Sequence, residues 1–219
     1  MHVHVVHVST GQGLALIAEA RARGIDVSCE TCPHYLIFTE DDLERLGAIA
    51  KCAPPLRSAA DQEALWQGVA GGAVSIIASD HSPAPPELKS RASFFDVWGG
   101  ISGCQSLLPA LLTAGYHQRG VPLERIAALT AAGVARRFRL ASKGQIAVGF
   151  DADLALVRLD AQTLLRQDDL LYRHRHSPYI GLTFTGQVVQ TIRRGVTVAR
   201  DGQIIVAGGG RLVRPAPAA

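Results

Sequence analysis

Cysteine is scarce: Cys29, Cys32, Cys52 and Cys104 are the only four in 219 residues. So few thiols in a chain long enough for a sizeable core argue against a disulfide framework. They fit a reducing, cytosol-like compartment. An excess of one charge is also lacking, since 22 Lys and Arg against 19 Asp and Glu leave a formal +3. No basic run is interleaved with aromatics, so nucleic-acid binding is not expected. Small clusters such as Arg136-Arg137 and Arg193-Arg194 read as solvated guanidinium groups. No apolar run is long enough to span a bilayer. The opening MHVHVVHVST has no basic stretch leading into a long apolar region and cleavage site. A cytoplasmic chain with no membrane partner is therefore expected. No internal repeat is present.

What is there alternates between strand and helix patterns. Residues 2–8 read as a buried strand, followed by a helix stopped at Gly24 and a strand over 25–30. A loop is expected through Pro33-His34, then a short helix near 39–46. KCAPPLR should be extended, because Pro54-Pro55 disfavours regular pairing. A helix over 59–71 and a strand over 73–79 follow. Such alternation signals a parallel α/β layer. After Asp80 comes a connection too long to be a mere linker. Helices are expected at about 103–117, 122–131 and 131–138. From 143 onward the texture becomes β-type, with turns at Arg194-Gly195 and Asp201-Gly202. The expected division is an α/β domain over 1–140 and an antiparallel β-unit over 141–219.

Three stretches carry the chemistry: HVVHVST at 4–10, CETCPHY at 29–35 and SDHSP at 79–83. Each sets a metal-grade ligand where an apolar run ends: His7, His34 and Asp80. Two imidazoles and a carboxylate suit Zn²⁺ or a similar divalent ion. A carboxylate ending a buried strand is costly unless paired or metal-bound, which makes Asp80 the strongest local signal. His2-x-His4 shares one strand face but reads as two ordinary strand histidines. Cys29-x-x-Cys32 has no second cysteine pair and does not open a typical redox helix, so packed thiols are expected there.

The segments HVVHVST, CETCPHYL, KCAPPLR, SDHSPAPPELK, WGGISGCQ, KGQIAVGFDADLALV and YRHRHSPYIG together resemble the C-terminal half of the allantoinases. These are cyclic amidohydrolases of the amidohydrolase superfamily. The resemblance implies the second half of a (β/α)8 TIM-like barrel followed by part of a composite β-sandwich. It implies metal ligation by His7 after the fifth barrel strand, His34 after the sixth and Asp80 after the eighth. Asp80 would also move the proton, while Ser82 and Gly100 would lie against the ring substrate. The implied reaction is hydrolysis of a cyclic amide, allantoin to allantoate, at a binuclear Zn²⁺ centre. The family's first-strand His-x-His and its bridging carboxylated lysine have no counterpart here. The chain therefore looks truncated at its N-terminus. The implied partners are a small-molecule substrate and either further copies in a homo-oligomer or a complementing N-terminal half. A non-catalytic remnant, or a fragment of a dihydropyrimidinase- or hydantoinase-like enzyme, is the alternative.

Overall fold

Three short parallel strands organise the first part of the chain: β1 (Val3–Val5), β2 (Val27–Thr31) and β3 (Ile76–Ile77). The computed structural model describes residues 2–216, so the outer ends of both expected domains, Met1 and 217–219, lie outside the described residues. β2 is central. Val5 pairs with Cys29 on one side, and Glu30 pairs with Ile76 on the other. Parallel neighbours need crossovers, and helices supply them. α1 (Gly11–Ala22) joins β1 to β2, with the Thr10 hydroxyl accepting from Gly13 N at 3.1 Å as its cap. Between β2 and β3 run α2 (Pro33–Ile37), α3 (Glu40–Leu46) and α4 (Ala59–Gly71). Ser58 caps α4, and Gly72 ends it at φ 91°.

The structure corrects three expectations. The strands are shorter than 2–8 and 73–79, because the backbone turns sharply at His7 and just past β3 at Asp80. Pairing nevertheless resumes beyond the first bend, where Val8 N donates to Glu30 O at 2.8 Å. Pro33 opens a helical turn instead of a loop, since proline at the first helical position loses no hydrogen bond. Most consequentially, β2 and β3 are hydrogen-bonded neighbours, with no strand between them. The three strands are consecutive. If the Asp80 strand is the eighth of a barrel, the other two are the sixth and seventh, not the fifth and sixth. His7 then takes the sixth-strand position, and His34 sits on a strand to which the resemblance assigns no ligand.

The connection after β3 is held down by two lysines. It carries α5 (Pro86–Lys89) and an isolated bridge between His81 and Ile101. Lys89, buried, donates to the carbonyls of Ala48, Lys51 and Trp98 at 3.0–3.1 Å. Lys51 answers in the opposite sense, donating to Phe94, Phe95 and Val97 carbonyls. Burial pulls the Lys89 ammonium down to about 8.

α6 (Leu107–Ala110) then continues as a π-wound stretch, Leu111–His117. α7 (Leu123–Ala127) passes through a π-wound Ala128–Ala132 into α8 (Gly133–Arg137). A Cβ on Gly133 would lie 2.8 Å from Ser75 O, so glycine lets this helix approach the β3 segment. The β-type texture expected from 143 onward opens with turns over 143–153 and becomes strand at Leu154. The second sheet is an antiparallel meander of β4 (Leu154–Leu164), β5 (Thr183–Arg193), β6 (Val196–Arg200) and β7 (Gln203–Ile204). Its hairpins turn where expected, with positive φ at Arg194-Gly195 and Asp201-Gly202. The lead-in to β5 reaches back to the long connection: Ser177 Oγ donates to Ser102 O at 2.5 Å, and His176 Nε2 meets Ala84 O at 2.6 Å. Among the described residues, the outer edges of β1 and β3 have no partner strand. No helix there is long and apolar enough to cross a membrane.

Replacing Lys89 by Met strands three part-buried carbonyls, at a cost of about 2 kcal/mol. The expected outcome is a lower melting temperature together with faster proteolysis within 86–98. An unchanged cleavage pattern would show that the lysine does not hold the connection.

Candidate functional site

The site gathers at the C-terminal ends of β2 and β3. Ligand-grade atoms of Cys32, His34 and Asp80 all lie within 4.8 Å of one another. β2 ends at Thr31, Cys32 caps α2, and His34 occupies its first turn. β3 ends at Ile77, and three residues later Asp80 faces this turn from the neighbouring strand. Pairing of Thr31 with Ile77 sets the two strand ends level. His34 and Asp80 are therefore brought together, with Cys32 as the third member. His7 stands outside that group, yet near enough that a charge on it further disfavours protonation of His34.

His34 is fully buried, and neither ring nitrogen has a hydrogen-bond partner. Burial drives its pKa down to about 3, so the imidazole is neutral at physiological pH. A neutral ring with two free, desolvated nitrogens is suited to accept a cation or a ligand proton donor. An unpartnered buried polar group of this kind costs about 1–3 kcal/mol. Cys32 is equally buried, and burial, followed by the negative charge of Asp80, raises its thiol far above the usual range.

Backbone strain marks the ends of β1 and β3. His7 has φ 41° and Asp80 has φ 44°, the left-handed region that non-glycine residues avoid. Each such residue costs on the order of 1–3 kcal/mol, a cost typical of functional positions. The bends lift both side chains out of the strand alternation.

Beside Asp80, the His81 ring lies 4.7 Å from that of Tyr172, and its Nδ1 accepts from Gly103 N at 3.1 Å. The proton of the neutral ring therefore belongs on Nε2. Ser82 Oγ accepts from Trp98 Nε1 at 3.2 Å, and Ser82 N donates to Ile101 O at 2.9 Å. Gly100 packs under this pair: a Cβ there would fall 2.3 Å from Ser82 Oγ. Ser82 and Gly100 thus form one wall, joined to the Lys89 clamp through Trp98. His2 and His4 lie away from the group. His2 meets Asp26, and His4 bridges Ser28 at 2.7 Å and Glu30 at 3.0 Å. Cys32, Lys51 and Lys89 were missed by sequence reasoning. The Cys-x-x-Cys spacing drew attention to the thiols but suggested pairing, and carbonyl-bound lysines leave no local pattern.

The model of the Amidohydrolase family matches residues 1–198. The chain belongs to the amidohydrolase family. Among curated members, an allantoinase of Rubrobacter xylanophilus is 58% identical over 97% of this chain and 47% of its own length. An allantoinase of Deinococcus radiodurans is 52% identical with the same coverage. Among solved amidohydrolase structures, the L-hydantoinase (dihydropyrimidinase) of Arthrobacter aurescens superposes with a TM-score of 0.90. It is 36% identical, over 93% of this chain and 46% of that one. A D-hydantoinase (dihydropyrimidinase) from Thermus sp. gives a TM-score of 0.92 at 26% identity, over 97% of this chain and 48% of that one. The chain spans about half the length of the curated relatives it matches.

The His34 shift fixes a pH dependence. The folded pKa, about 3, lies below the unfolded value of 6.5, so the unfolded chain binds the extra proton between these limits. Stability is full above about pH 6.5 and falls as pH drops towards 3, by up to about 1.4 kcal/mol per unit. In chelator-treated protein, His34→Gln is expected to flatten the melting-temperature profile between pH 6 and about 4. Parallel profiles for the two proteins would contradict this burial of a neutral imidazole.

Proposed function

We propose that this chain is the C-terminal portion of an allantoinase-like, metal-dependent cyclic amidohydrolase. Residues 1–140 would supply the last strands of a (β/α)8 barrel, and 141–219 part of a composite β-sandwich. The observation that carries the reading is the meeting of His34 and Asp80 at the ends of adjacent parallel strands, the end where barrel enzymes keep their chemistry. The similarity to allantoinases over nearly the whole chain supports the substrate.

The donor set fits a divalent metal, because His34 presents unpartnered, neutral nitrogens beside a carboxylate. His34 and Asp80 would hold it, with His7 standing outside their group, and Zn²⁺ suits such N/O ligands. When bound, the metal supplies Lewis-acid polarisation of the ring carbonyl and a more acidic water. The chain's own residues do the rest. The Asp80 carboxylate accepts the proton of the attacking water and returns it to the ring nitrogen as the C–N bond breaks. Ser82, held by Trp98 and backed by Gly100, offers a hydroxyl to the amide ring. Allantoin plus water then leaves as allantoate. The cytosol is the compartment that fits four free thiols, one of them exposed.

The unpaired outer edges of β1 and β3 support a partner contribution. Strands from a complementing N-terminal half, or from another copy, would satisfy them. They equally support the second reading, a non-catalytic remnant stabilised by such a partner.

The test combines this chain with the N-terminal half of the Rubrobacter xylanophilus allantoinase. It follows ring opening of allantoin, dihydrouracil and hydantoin. Allantoin is expected to be preferred, and Asp80→Asn to lower the rate at least about a hundredfold. Equal or faster opening of dihydrouracil would overturn the substrate assignment. A stable but inactive complex would favour the remnant.

A further inference from the structure

We propose that the opposite end of the parallel strands carries a binding site for a multivalent oxyanion, a phosphate group free or in an ester. The site lies where β1, β2 and β3 begin, so it does not depend on the reading of His34 and Asp80. A cavity of about 680 Å³ opens there. His2, Asp26 and Ser75 line it from the strand side, each one residue ahead of its strand, and the end of α8 lines it from the other.

Three observations converge. The first is a one-sided charge. Arg125, Arg136, Arg137 and Arg139 line the cavity against the carboxylate of Asp26. That carboxylate is already engaged: His2 meets one oxygen, and Arg137 donates to the other at 2.6 Å. His2, then Arg137, hold its carboxyl below the usual carboxylate range. Among the described residues, Arg136 and Arg139 pair with no carboxylate. The second is orientation. Arg125 donates to Val69 O and Val74 O at 2.8 Å, and Arg137 to Val3 O at 2.6 Å. A guanidinium carries five N–H groups, so both forks are fixed by the backbone and keep donors to spare. Burial disfavours the Arg125 charge, and an anion beside it would offset that. The third is the backbone. Arg139, just past α8, holds φ 53°, a left-handed conformation of the kind that persists where the surroundings impose it.

The pattern Arg136-Arg137 suggests solvated guanidinium groups, but the fold gives the pair a different setting. Gly133 lets α8 come close to Ser75 O, and this approach brings both arginines to the strand starts beside Arg125, which comes from α7. Planar forks of this kind match the oxygens of phosphate in pairs, and they bind it more strongly than neutral donors do. With Asp26 neutralised by its own partners, the remaining excess of positive charge favours an anion of two charges over chloride. No bond is made or broken on binding.

Calorimetric titration of the chain with inorganic phosphate and with glycerol phosphate, at constant ionic strength, tests this. The expected result is saturable binding at one site, the tighter of the two ligands telling the free ion from the ester. Arg136→Gln combined with Arg139→Gln should weaken it by about tenfold or more. Arg173→Gln combined with Arg175→Gln, exposed elsewhere, should leave it unchanged. Asp80→Asn should also leave it unchanged, which separates this site from the metal reading. In the unaltered chain, phosphate should protect Arg136 and Arg139, but not Arg173, from modification by phenylglyoxal, read by mass spectrometry; this arm stands even if the double variant fails to fold. The absence of saturable binding, an equal response to chloride, or equal labelling of Arg136 and Arg139 with and without phosphate would overturn the proposal. So would undiminished binding by a natively folded Arg136→Gln, Arg139→Gln variant.

Discussion

Pairing of β2 on both of its edges is the constraint from which the site follows. A strand hydrogen-bonded to two parallel neighbours cannot slip by one residue without turning every side chain to the wrong face. Arg21 enforces the arrangement from the helix layer. Its guanidinium reaches the carbonyls of Val27 and Ala73 and the hydroxyl of Ser75, which ties α1 to β2 and to the segment entering β3. Thr31, fully buried, closes the top of the ladder by donating to Val8 O at 2.8 Å. With the strand ends held level, Cys32, His34 and Asp80 have little freedom to be anywhere else.

The same region concentrates the costs of the fold. Two left-handed non-glycine residues, a buried imidazole without partners and a buried thiol beside a carboxylate each work against stability. Together they amount to several kcal/mol, a large share of an ordinary domain's margin. A bound cation would relieve the unpartnered groups. The long connection after Asp80 is held instead by charged donors on backbone carbonyls, through Lys51 and Lys89. That places Ser82, Trp98 and Gly100 beside the strand ends without requiring regular secondary structure.

Much of this was legible in the sequence where a local rule decides the outcome. α4 spans the expected 59–71, because Ser58 and Gly72 bracket an uninterrupted helical pattern. The turns at 194–195 and 201–202 follow from residue types that tolerate positive φ. The strand limits were not legible, since alternation continues through His7 while the backbone bends there. Strand order is not legible either, since motifs in chain order do not say whether a strand lies between them, and the pairing of Glu30 with Ile76 shows that none does. The place of Cys32 was hidden for a related reason. Spacing joined it to Cys29, whereas the end of β2 sends the two thiols to different layers.

Amide hydrogen exchange with and without Zn²⁺ measures the central claim, that two neighbouring strand ends of this chain converge on one cation. The account expects slower exchange over 31–37 and 78–82, with the β4–β7 meander unaffected. Exchange that is unchanged in both segments, or slowed uniformly along the chain, would contradict it.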